Sequence, residues 1–267
     1  MRRSNAFVAA RRDAIMALLE RDGKASVAEL AEHFEVSQLT IRRDLDWLES
    51  RNVLSRQHGS ASLLNPLGRP SGSQRVRANR AIAREAAKYV CDGDCIFING
   101  SSTALSIIDF IEANDVTVVT NNGKALLMDE RPGLSILLTG GEIRPPRASM
   151  TGDIAMATVR KIRAKKCFLG CTAVSVDDGI TSATAPEPVV NALMLAQSNE
   201  HFLVADSSKI GHASSFPFGT VDDIDTLITD TGATPEEVSA FLAHGVSRVI
   251  RAEPGLEVDA DEVPGLL

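Results

Sequence analysis

The chain has few aromatic residues and no long apolar run. Aromatic side chains make up 4% of the 267 residues, with one tryptophan and one tyrosine. The hydrophobic cores must therefore be mainly aliphatic, and the chain lacks the aromatic surface on which many proteins stack single-stranded RNA. No apolar run approaches the roughly 18 residues that a membrane-spanning helix needs, and residues 1–16 lack the apolar region and cleavage site of a signal peptide. These absences predict a cytoplasmic protein with no membrane partner.

Cysteines are also few, and their spacing does not suggest a metal site. They form two C-x₃-C pairs, Cys91 with Cys95 and Cys167 with Cys171, whereas common zinc sites use C-x₂-C. Three of the four lie in or beside apolar, strand-like segments, where cysteine packs as a small hydrophobic residue. The sequence therefore predicts reduced packing residues, no metal and no cofactor; a metal site and a disulfide are the alternatives.

The charge is unevenly distributed along the chain. The net charge is −7, yet residues 1–64 hold ten Lys or Arg against nine Asp or Glu. The N-terminal segment is thus slightly basic and the remainder is acidic, which suits a protein whose N-terminal segment meets phosphate groups. The length suits two domains, and 44% apolar and 24% charged residues are typical of globular proteins.

Residues 26–61 predict two short helices joined by a tight turn. Ser26 and Glu29 have the spacing of a capping box, which starts a helix at about Val27. Ser37 offers a second N-cap. The apolar faces of the two helices are Val27, Leu30 and Phe34, and Ile41, Leu45 and Leu48. With a preceding helix over residues 11–23, the pattern predicts a helix-turn-helix, in which Trp47 packs at the edge of the core.

The second helix carries polar and basic side chains off its apolar stripe, as a recognition helix in the DNA major groove does. The predicted DNA-binding residues are Ser37, Gln38, Thr40, Arg42, Arg43, Arg56 and His58. Gln38 is the predicted base contact, and the arginines of the helix suit either a guanine edge or a phosphate. Residues 53–64 predict an extended arm that offers Arg56 and His58 to phosphate; His58 is equally compatible with a polar turn. Helix pairs with surface arginines also occur in proteins that never bind DNA.

These residues resemble the DNA-binding head of the DeoR family of bacterial transcriptional regulators. Residues 40–45 match the TIRRDL core of its winged helix-turn-helix at every position. Arg56, His58 and Gly59 match its R-x-H-G arm, and Ser60 stands where a second glycine is usual. The resemblance implies binding to double-stranded operator DNA. Because such heads read paired half-sites, a homo-oligomer, a dimer or higher, is expected.

The composition changes after the predicted head. Residues 65–76 are predicted to be a linker, because the segment NPLGRPSGSQ concentrates Pro, Gly and Ser. The predicted domains are then 1–64, which binds DNA, and 77–267, which senses an effector and mediates oligomerisation. Residues 77–90 read as a helix. Short aliphatic runs then alternate with helical stretches, which predicts an α/β domain with a mostly parallel sheet. The runs are CIFIN, VTVVT, LSILL, CFLGCT, HFLVA, TLIT and SRVI.

Ligands of open α/β sheets bind beyond the carboxyl ends of the strands. Small, hydroxylated or charged residues follow several of the predicted strands. The predicted effector-binding residues are Gly100, Ser101, Ser102, Thr103, Asn121, Asn122, Gly140, Gly141, Arg144, Glu187 and Lys209. The loop 100–103 precedes a helix, where hydroxyls and backbone amides suit a phosphate. Purely structural helix capping is the alternative there, and Glu187 is either a ligand contact or a first-turn carboxylate.

The same stretches resemble the C-terminal domain of the DeoR family, which is similar to ribose-5-phosphate isomerase and generally senses a phosphorylated sugar. Residues 100–103, 120–122, 140–141 and 206–209 match its phosphate-loop, TN, GG and D-x-S-K motifs, and Gly152 and the segment 179–187 also match. Lys165, Pro188 and Asn191 depart from the usual residues.

The resemblance implies a sequence-specific regulator, a repressor of carbohydrate-metabolism genes controlled by a phosphorylated sugar. One alternative is a sugar-phosphate isomerase-like enzyme with an accessory helical head, in which Glu187 is the base and Lys209 its partner. An RNA-binding or scaffolding protein is another.

Overall fold

The computed structural model describes residues 8, 11–12, 14–16, 18–19, 24–50, 54–57, 60–63, 72–144 and 147–254. The chain forms two compact units, which divide between Arg77 and Ala78. Each unit has its own hydrophobic core.

The N-terminal unit contains helices and a small antiparallel sheet. The described residues from 8 to 19 are helical. They are followed by β1 (Ala25–Ser26), α1 (Val27–His33), α2 (Gln38–Ser50), β2 (Leu54–Gln57) and β3 (Ser60–Leu63). The strand order is β1-β3-β2. This is the winged helix-turn-helix that the sequence predicts.

The predicted start of α1 is confirmed. The Ser26 hydroxyl accepts from the Glu29 amide at 3.2 Å, and the Glu29 carboxylate accepts from the Ser26 amide at 2.6 Å. The backbone hydrogen bond from Ser26 lowers the pKa of Glu29. Leu30, Ile41 and Leu45 are fully buried, as their spacing predicts, and Trp47 packs against the edge of this core.

The wing forms although a serine replaces a glycine in its arm. Ser60 pairs with Gln57 across the hairpin and with Ser26 of β1 on its other side. A residue that is paired on both sides lies in extended backbone, which serine adopts without strain. His58 and Gly59 lie outside the described residues.

The C-terminal unit follows the predicted alternation. Helix α3 (Gly72–Ala87) begins five residues before the predicted start at 77, so the predicted linker ends too late. The other helices are α4 (Ser102–Leu105), α5 (Asp153–Arg160), α6 (Glu187–Ala196) and α7 (Pro235–Ala243), with 3₁₀ turns at Ser106–Phe110, Gly123–Leu127, Ser207–Lys209 and Val221–Asp223. The strands are β4 (Cys95–Ile98), β5 (Val116–Thr120), β6 (Leu134–Leu138), β7 (Glu142–Ile143), β8 (Met150–Thr151), β9 (Ala164–Leu169), β10 (Ala173–Ser175), β11 (Gly179–Ser182), β12 (Ser198–Val204), β13 (Phe216–Gly219), β14 (Thr226–Asp230) and β15 (Arg248–Ala252).

The central sheet has the strand order β15-β14-β12-β9-β4-β5-β6, and every pair in it is parallel. Alternation along β4 divides the core: Phe97 packs on one face, while Ile96 and Ile98 pack on the other. Two small antiparallel sheets, β10-β11-β13 and β7-β8, were not predicted. Among the described helices, none is both long and apolar enough to cross a bilayer.

Lys165 and Lys166 anchor the amino end of this sheet. The Lys166 ammonium lies 2.6 Å from one oxygen of the buried Asp94, and the Lys165 ammonium lies 3.0 Å from the other. Burial alone raises the pKa of Asp94, but the hydrogen bonds from Lys166, the Cys91 amide and Lys165 outweigh it and lower that pKa. Lys165, which departs from the family pattern, therefore lies at the opposite end of the strands from the predicted effector-binding residues.

The four cysteines are free thiols in different surroundings. Cys167 is buried in the core, and burial raises its pKa to about 12. Burial likewise raises the pKa of Cys171 to about 11 and also that of Cys95. Cys91 is exposed. The described residues hold no group of three or more His, Cys, Asp or Glu side chains that could bind a metal ion.

Candidate functional sites

The recognition helix α2 begins at a hydroxyl cap. The Ser37 hydroxyl accepts from the Thr40 amide at 3.1 Å and lies 2.8 Å from the Thr40 hydroxyl. Both residues therefore hold the first turn of α2 in place. Gln38 is exposed beside them, and so is Leu39, which is 59% exposed although it is a leucine.

Leu39 is a residue that the sequence reasoning missed. It lies off the stripe of Ile41, Leu45 and Leu48, and that position is the signal that could have identified it. An apolar side chain at the start of a recognition helix suits contact with a thymine methyl group.

Arg42 and Arg43 are both exposed on α2. Neither forms a hydrogen bond or ion pair within the part of the chain that the structure describes. Their guanidinium groups are therefore available to an external anion or base edge, and each presents a planar fork of donors.

Asp44, the next residue, is buried and ion-paired within the protein, in contrast to Arg42 and Arg43. It is 2% exposed and accepts from Arg11 Nε at 2.7 Å and from Arg12 Nε at 2.9 Å, so it ties α2 to the first helical segment. The Arg12 guanidinium also lies 4.2 Å from the centre of the Trp47 ring. Asp44 follows Ile41 by three places, so the same periodicity that predicts the apolar stripe predicts a buried position here.

Arg56 in β2 is engaged by two acidic side chains of α2. Its guanidinium lies 2.5 Å from Asp46 and 2.6 Å from Glu49, and its backbone amide donates to Glu49 at 3.1 Å. The hydrogen bond with Glu49 raises the pKa of Arg56. The guanidinium nevertheless borders an open groove, together with Gln38, Arg42 and the start of α1.

At the carboxyl end of the central sheet, a buried asparagine joins two strand ends. Asn99, which follows β4, donates to Gly170 O at 2.8 Å and accepts from Gly170 N at 2.9 Å and from Ser101 N at 3.2 Å. A Cβ atom on Gly170 would lie 2.0 Å from Ser101 Oγ, so only glycine fits there. Asn99 was not predicted, and its position directly after an apolar strand is the signal.

The predicted phosphate loop follows Asn99. Ser101 caps α4, with its hydroxyl 3.4 Å from the Ala104 amide. Ser102 is exposed, whereas Thr103 is buried. Because α4 has only four residues before it tightens into a 3₁₀ turn, its dipole adds little, and a ligand would depend on hydroxyls and individual amides.

Asn121 and Asn122, which follow β5, are buried and position the neighbouring loops. Asn121 donates to Met150 O at 3.0 Å, and Asn122 donates to Gly100 O at 3.1 Å. Asn122 also forms an antiparallel bridge with Ser149, whose side chain lies against Gly100. These amides therefore shape the loops at the carboxyl end of the central sheet, which we call the rim, and their burial leaves little surface for a direct ligand contact.

Gly140 and Gly141, which follow β6, have φ values of 69° and 117°. A Cβ atom on Gly141 would lie 2.4 Å from Thr151 O. Glycine is therefore needed at Gly141 because of both the positive φ and the close approach of this carbonyl oxygen. Arg144 beyond them is 74% exposed, and among the described residues it forms an ion pair with Glu142 at 3.5 Å. The structure therefore does not bring Arg144 against the other predicted residues.

Arg147, rather than Arg144, contacts the predicted residue Glu187. Its Nη1 lies 3.4 Å from Glu187 Oε1, while Ser182 Oγ donates to Glu187 Oε2 at 2.8 Å. Glu187 is also the first residue of α6, so its predicted place as a first-turn carboxylate is confirmed, and its contact with a ligand stays a prediction. Further along α6, Asn191 is buried and accepts from Asn99 Nδ2 at 3.3 Å.

Lys209 is buried beside Asp206, with its ammonium 3.8 Å from Asp206 Oδ2. The preceding residue, Ser208, donates to Asp206. Asp230 fixes the same loop, because it accepts from the Ser207 amide at 2.6 Å and the Ser207 hydroxyl at 3.0 Å. Lys209 and Asp206 influence the pKa of Cys171, which follows Gly170, so this loop adjoins the end of β9.

The rim thus gathers most of the predicted residues around the ends of β4, β5, β9 and β12. Hydrogen bonds and close contacts connect Gly100, Ser101 and Asn122, and Arg147 connects the loop 147–149 to Glu187. Ser102 offers an exposed hydroxyl at this rim and Arg147 an exposed guanidinium, and both groups suit an anionic, hydroxylated ligand.

Comparison with known proteins identifies relatives of both units. A family model described as the DeoR-like helix-turn-helix domain matches residues 11–66, and one described as the DeoR C terminal sensor domain matches residues 74–231. The HTH-type transcriptional regulator YulB of Bacillus subtilis is 33% identical over 241 residues, which cover 88% of this chain and 93% of that protein. The lactose phosphotransferase system repressor of Lactococcus lactis is 30% identical, with 88% and 95% covered.

Among solved structures, ribose 5 phosphate isomerase A from Neisseria gonorrhoeae is similar over 49% of this chain and 52% of that chain. The identity is 14% and the TM-score is 0.37. A likeness at that level carries no argument about function.

Proposed function

Because the chain belongs to the DeoR family of transcriptional regulators, we propose that it represses genes of carbohydrate metabolism and that a phosphorylated sugar sets its affinity for double-stranded operator DNA. The proposal combines three parts: a head that reads DNA, a rim that binds the effector, and association of copies into a homo-oligomer. The lactose phosphotransferase system repressor is a relative over most of the chain, which supports the carbohydrate assignment.

The DNA-binding part of the proposal rests on Arg42 and Arg43, whose guanidinium groups are exposed and have no partner within the described residues. Three of the six Lys and Arg side chains described in the head are engaged: Arg11 and Arg12 hold Asp44, and Arg56 holds Glu49. The two arginines of α2 are exposed and have no such partner within the described residues. In a winged helix-turn-helix this is the surface that enters the major groove.

The rim supports the effector part. Ser101 and Ser102 offer hydroxyls beside the end of β4, and Arg147 and Lys209 bring positive charge. Hydroxyls, backbone amides and cations are the groups that bind phosphate, while carboxylates such as Glu187 suit sugar hydroxyls. The domain limits 1–64 and 77–267 assign these two roles to separate parts of the chain.

The effector class is tested by titration. The full chain is mixed with labelled duplex from the region upstream of its own gene, and the affinity is measured by fluorescence anisotropy with triose, pentose and hexose phosphates. We expect at least one of them to change operator affinity by about 5-fold or more, because allosteric coupling is typically about 1–3 kcal/mol. Operator binding that no phosphorylated sugar alters would contradict the effector assignment.

Ser102→Glu is expected to abolish this response while operator affinity without effector stays unchanged. Ser102 is exposed at the predicted phosphate loop, so a carboxylate there repels a phosphate without disturbing the core. Ser239→Glu, which adds the same charge at an exposed position of α7, is the control and should keep the response. A normal response in Ser102→Glu would remove this loop from the site.

Glu49→Gln is expected to raise affinity for any duplex by several-fold and to steepen its salt dependence. The change releases Arg56 from one of its two carboxylates, and each additional phosphate contact steepens the slope of log K against log salt by about 0.9. The control Glu85→Gln removes a carboxylate of α3 that pairs with Lys88, the residue just after that helix. Weaker binding in Glu49→Gln would instead mean that Glu49 orients Arg56 toward DNA.

We propose no enzymatic activity. An isomerase needs a free carboxylate base near the substrate carbonyl. Glu187 is instead held by Ser182 and Arg147, and Lys209 lies against Asp206. Incubation with ribose 5-phosphate should therefore give no turnover above that of a denatured sample, and measurable isomerisation would favour the enzyme alternative.

A further inference from the structure

The free edge of the central sheet is apolar and uncovered. Strand β6 is the terminal strand and pairs, among the described strands, with β5 alone. Its sequence LSILL carries no charge, and Ile136 and Leu137 are 36% and 44% exposed. Because successive residues of a strand point to opposite faces, β6 is open to solvent on both faces as well as at its edge.

Further apolar side chains surround this strand. Leu126 and Leu127 lie on the 3₁₀ turn that contacts β6, Ile143 reaches Gly123 at the start of that turn, and Ile154 lies against Gly140 just beyond β6. We call this set the edge patch: Leu126, Leu127, Ile136, Leu137, Ile143 and Ile154. It contains six of the ten large exposed hydrophobic side chains of the described residues, so the exposure is concentrated at one edge.

The edge patch is large for a surface that stays in water. Parallel sheets normally have both faces covered, and natural proteins protect open strand edges with charged residues, proline or bulges. The exposed area of the six side chains together is roughly 600 Å², which is the upper end of the range for the largest apolar patch on a typical monomer. It is also most of the roughly 800 Å² that each partner buries in a stable interface.

We propose that the edge patch is the interface between two copies of this chain, with β6 of one copy antiparallel to β6 of the other. A two-fold axis places the β6 edge of one copy beside the β6 edge of the other. The outer backbone amide and carbonyl groups of the two strands then form hydrogen bonds with each other. The flanking charges fit this arrangement. Asp129 and Glu130 precede β6, whereas Arg144 follows it; all three are exposed, and Arg144 lies 3.5 Å from Glu142. Antiparallel pairing places the acidic end of one strand beside the basic end of the other.

The interface deepens the proposed function, on which it rests for its role, because helix-turn-helix proteins bind paired half-sites as dimers. Its existence is measured without DNA. The mass of the full chain is determined by light scattering at micromolar concentration. The unaltered chain is expected at twice 28.5 kDa or a larger even multiple, and Leu137→Asp is expected to halve that mass. The control Leu242→Asp changes a leucine of α7 that is 47% exposed, and it should leave the mass unchanged.

A monomeric unaltered chain, or a Leu137→Asp variant of unchanged mass, would overturn the proposal. If circular dichroism shows that Leu137→Asp does not fold, Ile136→Cys in a Cys91→Ser background decides the matter instead. Mild oxidation is expected to yield a covalent dimer from Ile136→Cys and none from Leu242→Cys in the same background; equal yields would refute the interface. A dimer that binds no DNA would leave the interface standing and refute the repressor assignment.

Discussion

Arg42→Ala combined with Arg43→Ala is expected to weaken operator binding by at least about 100-fold. A good arginine contact to a base pair contributes about 1–3 kcal/mol of binding free energy, and each 1.4 kcal/mol changes the affinity about tenfold. Both side chains are exposed and form no interaction within the described residues, so their loss should leave the fold intact. Affinity is measured by anisotropy on duplex from upstream of the gene, and folding by circular dichroism.

The single variants assign the two roles. An arginine that reads a base, once removed, relaxes sequence preference at one position, whereas one that binds phosphate weakens binding to all sequences and flattens the salt dependence. The control Arg160→Ala with Lys161→Ala removes two exposed positive charges from the C-terminal unit. Near-equal affinities for the double variant and this control would exclude α2 as the DNA-binding element.

Asp44→Ala is expected to lower the free energy of unfolding of the N-terminal unit by about 3–5 kcal/mol. The change leaves Arg11 and Arg12 without the carboxylate that both contact, and removing one partner of a buried ion pair typically costs that much. The measurement is urea unfolding of the full chain followed by Trp47 fluorescence. Trp47 is the only tryptophan and packs against this core, so its emission reports this unit alone.

Asp46→Ala provides the matched comparison for Asp44. Asp46 lies two residues further along the same helix and also contacts an arginine, but it is 57% exposed, so its loss should cost less than about 1 kcal/mol. Equal shifts of the unfolding midpoint in the two variants would show that the buried ion pairs of Asp44 add no more to the free energy of unfolding than the exposed ion pair of Asp46.

The central sheet was predictable because its strands are short apolar runs that end sharply. VTVVT and LSILL coincide with β5 and β6, and the capping box fixes the start of α1. The sheet β10-β11-β13 could not be predicted in the same way. Its strands have three or four residues, and β13 follows β11 only after 33 intervening residues, so no local pattern indicates the pairing.

The candidate sites were predictable as segments but less so as individual contacts. Sequence places Arg144 and Arg147 equally well near the rim, and only the contacts in the structure distinguish Arg147, which lies against Glu187, from Arg144, which lies against Glu142. Arg56 shows the same limit, because its two carboxylate partners depend on how the wing packs on α2. Asp44 follows Ile41 by three places, so helical periodicity puts it on the face toward the core, but its partners Arg11 and Arg12 come from a separate segment that no local pattern identifies.

The unequal surroundings of the four thiols make the natural chain suited to selective labelling. The thiolate is the form that reacts with alkylating dyes, and burial raises the pKa of Cys95, Cys167 and Cys171, which lowers the thiolate fraction of all three. Cys91 is the exposed thiol, at the amino end of the sheet and away from the rim. A fluorophore attached there gives the sensor unit a spectroscopic reporter without any engineered cysteine.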